Sequence, residues 1–124
     1  MNTTALAYLG DAVYEVFVRK TVLATGQSNA DALHQLSVKY VRAEGQARAL
    51  KALLPGLTEQ ELALVKRARN RRTVSKPKNA DPVQYKLATA FEALIGHLYL
   101  SGEEERLTAI LTAAVQAIDA GSNG

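Results

Sequence analysis

The chain has 124 residues, 48% hydrophobic and 22% charged, with a formal net charge of +3. This length gives one domain, residues 1–124, with one core, and the apolar content excludes a disordered chain. The lack of cysteine excludes disulfides and thiolate metal sites; no secretory signal or bilayer-spanning apolar run is present, so a cytoplasmic protein with no membrane partner is expected. Strand signals are nearly absent, while alanine and leucine recur at helical spacing. A first helix is predicted from a cap at Thr3 or Thr4 to a stop at Gly26, apolar almost all round as befits a central helix. Ser28 or Asn29 caps a second helix through Asp31, Leu33 and Leu36, and a third is predicted from about Ser37 to Pro55-Gly56. Thr58 and Glu61 form a capping box that opens a fourth. Asp81 and Pro82 open a fifth, which Ser101-Gly102 breaks, and a sixth covers Glu103 to about Ala120. The fold class is all-α.

Charge is concentrated. The segment from Lys66 to Lys78 holds seven of the fifteen basic residues (Lys66, Arg67, Arg69, Arg71, Arg72, Lys76 and Lys78) and no acid, which leaves eight bases against twelve acids elsewhere. Arginine forks at a helix end and in the following loop suit phosphates, and each contact releases counterions. A solvated surface patch is the plainer alternative. The segment has no aromatic side chain to stack on bases, so it fits recognition of a backbone and its shape better than sequence reading.

Two carboxylates stand alone in apolar surroundings, Asp11 within Ala5–Tyr14 and Glu92 within Leu87–Gly96. Both segments read as buried helices, where an ionised carboxylate needs a partner. A divalent cation shared between the two helices would stabilise both acids and supply hydrolytic chemistry at a phosphodiester. Each acid taken singly is equally well explained by an arginine partner such as Arg19 or Arg42, or by solvent. Glu15 lies one turn from Asp11 and is expected to pair with Arg19. His34 and His97 have no ligand at zinc spacing. Tyr8, Tyr14, Tyr85 and Tyr99 are expected in the core or in a subunit interface.

Leu9-Gly10-Asp11-Ala12-Val13 resembles the signature of the ribonuclease III catalytic domain, and Phe91-Glu92-Ala93-Leu94-Ile95-Gly96-His97 resembles its second acidic segment. The run Ala5–Glu15, then Arg67-Ala68-Arg69-Asn70, then Ala88–Leu94 is closer to the compact bacterial branch, Mini-ribonuclease III, across essentially the whole chain. The resemblance implies a helical endonuclease that acts as a homodimer on double-stranded RNA, with magnesium, or manganese in its place, and no separate RNA-binding domain. It also implies maturation of the large-subunit ribosomal RNA precursor, in some members with a ribosomal protein. Asp11 and Glu92 match the catalytic and metal-holding acids, and Arg67, Arg69 and Asn70 match the branch's own motif, expected at RNA within the basic segment. The larger ribonuclease III proteins carry carboxylates where Ala7 and Thr89 stand here. One principal cation per subunit is therefore expected, with Thr89 at most an indirect contributor. Those two departures also support a competing reading, a catalytically inactive ribonuclease III-like module that binds RNA without cutting it.

Overall fold

The computed structural model describes residues 2–71 and 78–122, and every regular element among them is helical. Helix α1 spans Thr3–Leu23, α2 Ala30–Val41, α3 Ala43–Leu53, α4 Glu59–Asn70, α5 Pro82–Leu100 and α6 Glu104–Ser122, with a single 3-10 turn at Leu54–Gly56. The ends follow local chemistry. Asn2, one residue before the predicted cap, accepts from the Ala5 N–H at 2.8 Å, and Asn29 accepts from Ala32 at 3.1 Å. Thr58 and Glu61 form the expected reciprocal box. Asp81 caps α5 through the Val83 and Gln84 N–H groups, with Pro82 in the first turn.

One boundary differs from expectation. The second helix runs through Ser37 to Val41, and the break falls at Arg42, whose backbone is extended (φ −70°, ψ 156°). Ser37 does not start a helix; its hydroxyl donates to the Leu33 carbonyl at 2.9 Å, inside α2.

The central helix is α5, not α1. Leu87, Ala90, Phe91, Ala93, Leu94, Ile95 and Leu98 are buried there, and α1, α3, α4 and α6 all pack against it. Helix α1 buries one side through Leu6, Tyr14, Val18 and Val22, with the Tyr14 ring edge-on to Phe91 at 5.0 Å. Its other side shows solvent Tyr8, which is 85% exposed, together with Val16 and Leu23. The apolar residues all round α1 thus mark two faces, of which the described residues cover only one. Tyr14 and Tyr40 lie in the core, while Tyr8 and Tyr99 are exposed.

Polar ties join distant elements. The Tyr14 hydroxyl donates to the Tyr40 carbonyl at 2.7 Å, and the Tyr40 hydroxyl to Asp119 at 2.6 Å, fastening α2 to α1 and α6. Buried Glu61 receives Arg106 of α6 on both carboxylate oxygens, at 2.7 and 2.9 Å, so the capping acid of α4 also holds α6. That bidentate guanidinium holds the Glu61 carboxyl below its ordinary value.

Candidate active site

Glycine brings the two acids together. A Cβ on Gly10 would collide with the Glu92 carbonyl oxygen and lie 2.9 Å from the Gly96 nitrogen. One on Gly96 would collide with the Leu6 carbonyl oxygen and lie 3.2 Å from the Gly10 nitrogen. The backbones of α1 and α5 therefore touch where they cross, and no larger residue fits at either position. Asp11 follows Gly10 directly, and Glu92 lies one turn before Gly96. The crossing thus sets their carboxyl groups side by side.

Their environments are unequal. Asp11 is exposed, contrary to the expectation that both acids are buried, because it lies on the side of α1 that the rest of the chain leaves open. Glu92 is half-buried. Burial, then its hydrogen bond to Asp11 and the Asp11 charge, push its carboxyl up to about 9, against the amide of Gln46, which favours the ionised form. Neither Arg19 nor Arg42 neutralises the pair. Arg19 bonds Glu15 at 3.1 Å, the pairing expected for Glu15, and Arg42 lies 3.7 Å from Glu44. At neutral pH Glu92 is therefore held by a proton, where a cation would serve as well.

Among the described residues no group of three or more His, Cys, Asp or Glu side chains converges as a metal cage. Two carboxylates fit a hydrated magnesium ion, which keeps several waters, and they do not fit zinc. Ala7 is buried and adds no oxygen, and the Thr89 hydroxyl donates to the Tyr85 carbonyl at 2.9 Å within its own helix. His97 lines a separate groove with Thr58, Glu61, Glu103 and Arg106, away from a role beside Glu92.

The first part of the basic segment, Lys66 to Asn70, forms the last turns of α4. Lys66, Arg67, Arg69 and Asn70 are exposed there, as are Arg71 at its C-cap and Lys78, while Arg72 and Lys76 lie outside the described residues. Among the described residues, no ion pair ties Lys66, Arg67, Arg69, Arg71 or Lys78 to an acid. Their charges also suit the negative end of the α4 dipole. Helix α4 packs on α5 and touches α1, so the basic turns belong to the same helical unit as the acids. Gln46 beside Glu92 is the site residue that sequence reasoning missed. It sits in a helical pattern among Ala43, Gly45 and Ala47, with nothing local to mark it.

Comparison with known proteins gives the chain's relatives. The Ribonuclease III domain model matches residues 4–103. Mini-ribonuclease 3 of Symbiobacterium thermophilum is 49% identical over 94% of this chain and 89% of its own length. That of Brevibacillus brevis is 48% identical over 95% of this chain and 88% of its own. A crystal structure of a Fusobacterium nucleatum protein shares the fold with a TM-score of 0.82, at 34% identity over 93% of this chain and 92% of that one.

Proposed function

The chain belongs to the ribonuclease III family, and on that premise we propose that it cuts double-stranded RNA at the Asp11–Glu92 pair with the help of a divalent cation. Membership makes it an endoribonuclease, which sets aside the reading as a non-cutting module. The observation that carries the assignment of the site is the glycine-set crossing of α1 and α5, which sets two carboxylates side by side with no arginine or lysine of the described residues between them. Asp11 and Glu92 would hold magnesium, or manganese in its place. When bound, such an ion supplies a nucleophilic water near neutral pH and stabilises charge developing on the phosphate.

The protein's own groups have separate tasks. Asp11, exposed, is open to a phosphate of a bound duplex. Glu92 would release its proton to solvent if a cation were held there, and Gln46 favours that ionised state. Lys66, Arg67, Arg69, Asn70 and Arg71 present donors and positive charge to RNA phosphates, with Arg72, Lys76 and Lys78 continuing the same segment. Residues 1–124 act as one endonuclease domain in this reading. It also includes a homodimer, supported by the exposed Tyr8, Val16 and Leu23 of α1 and Tyr99 and Leu100 of α5, because one duplex has two strands to cut. No helix among the described residues is long and apolar enough to cross a membrane. A ribosomal RNA precursor as substrate, a ribosomal protein as helper and a cytoplasmic setting complete the proposal.

The test is incubation with long double-stranded RNA, in magnesium or in EDTA, beside Asp11→Asn. Cutting that needs magnesium and is lost in the variant is the expected result. Equal cutting by Asp11→Asn, or cutting undiminished in EDTA, would refute the assignment of the site.

A further inference from the structure

Gln46 lies in the first turn of α3 and is only 4% exposed. Its amide nitrogen donates to the Val41 carbonyl at 2.9 Å, closing the corner where Arg42 is extended. Gly45 fixes this corner. A Cβ there would collide with the Lys39 carbonyl oxygen and lie 3.4 Å from that of Tyr40, so α3 sits directly on the last turn of α2. Helix α3 packs against α5, and the Gln46 amide reaches Glu92 across that contact. One N–H of the amide is thus committed to Val41, and the amide also favours a charged Glu92.

The carbonyl oxygen is different: Gln46 Oε1 is buried with no hydrogen-bond donor among the described residues. A buried acceptor left unpaired is unfavourable, and most such groups in folded proteins have a partner. A glutamine that only filled space here would serve better as methionine or leucine. The unpaired oxygen lies on a side chain pinned beside the half-buried acid of the site. A hydrated divalent cation held by only two carboxylates keeps several waters, and each brings hydrogens that need acceptors.

We propose that Gln46 is a positioning residue of this site: its amide holds the Glu92 carboxylate toward Asp11, and its free carbonyl oxygen accepts a hydrogen bond from a water of the cation bound there. The proposal rests on the reading of Asp11 and Glu92 as a cation site. Gln46 touches the ion's water rather than the ion, and so acts on affinity and geometry.

The test is calorimetric titration of manganese into the metal-free protein, Gln46→Met, Gln46→Glu and Glu92→Gln, with thermal melting beside it. Gln46→Met should weaken manganese binding by about tenfold or more, while RNA affinity in EDTA stays unchanged. Gln46→Glu keeps the length and an acceptor oxygen and should restore the affinity. Both variants lose the amide donors to Val41 and Glu92, and they differ in the acceptor and in the charge that Gln46→Glu adds. Parent-like manganese affinity in Gln46→Met, with binding lost in Glu92→Gln, would overturn the proposal alone. A parent that binds no manganese, or a Glu92→Gln that binds it unchanged, would overturn the cation site and the proposal with it. Should Gln46→Met not fold, nuclear magnetic resonance of the parent decides. The Gln46 side-chain amide signals, identified by their absence in Gln46→Glu, must move on adding magnesium, and stationary signals would overturn the proposal.

Discussion

Replacing Glu92 by glutamine should stabilise the metal-free protein, and increasingly so as pH rises. The folded carboxyl titrates at about 9 and the ordinary value is 4.5. Between those limits the folded state binds a proton that the unfolded state has lost, so stability falls with rising pH, by about 1.4 kcal/mol per unit. The contribution of Glu92 is fully present below about pH 4.5 and is lost as pH rises through about 9. From pH 5 to pH 8 the ceiling is therefore about 4 kcal/mol. Water reaches the exposed Asp11 side of the site, and screening there reduces the expected value to about 2 kcal/mol. In a chain of this size that is a shift of roughly 8 °C in Tm. Glutamine has the same shape and no proton to lose, so it lacks this slope. Melting of both proteins by circular dichroism in EDTA, at pH 5 and pH 8, measures the gap, and groups common to both cancel. The gap should be small at pH 5 and open in favour of Glu92→Gln at pH 8, while cleavage by the variant is lost. A gap independent of pH, or one closing as pH rises, would refute the account of Glu92 as an acid held by its proton.

Gly10→Ala should lower stability by about 1–3 kcal/mol, because α1 and α5 must separate to admit the methyl group; it should also cut activity more than Ala12→Gly does, measured by denaturant unfolding and RNA cleavage together. Arg106→Met leaves the buried Glu61 carboxylate without its partner and should cost ~3 kcal/mol at pH 7. Because Glu61 titrates below its ordinary value in the folded state, that cost is present above about 4.5 and should shrink as pH falls further, read from urea unfolding at pH 7 and pH 3.5. Arg67→Ala and Arg69→Ala should each weaken RNA binding across unrelated duplex sequences and flatten its logarithmic salt dependence by about one unit, measured by filter binding across a salt series.

What was legible in the sequence was what local chemistry decides. Asp81-Pro82 and the Thr58–Glu61 box named the starts of α5 and α4, and both have the expected bonds. The α2–α3 break was not legible, because Ser37 looks like a cap and only the seating of Gly45 on the Lys39 carbonyl shows why the chain turns at Arg42. Asp11 and Glu92 stood out as acids in apolar runs, but their exposures did not. An apolar stripe reads the same whether it faces a core, as Tyr14 and Val18 do, or solvent, as Tyr8 and Val16 do. Nothing in the sequence relates Gly10 to Gly96, since only the crossing makes them neighbours.

That crossing joins folding to chemistry. Small residues let α1 and α5 touch, and the contact that buries Phe91 and Tyr14 also forces Glu92 against Asp11. Elsewhere this chain pairs several of its carboxylates with bases: Glu15 with Arg19, Asp119 with Lys39, Glu61 with Arg106. At the crossing it uses a proton and an amide instead. An arginine there would give a stable pair but would occupy the space a cation needs, and its fixed charge could not be displaced. A proton can be displaced. On the proposed reading, the empty site costs stability as pH rises, and its affinity for a cation falls as the solution becomes more acidic.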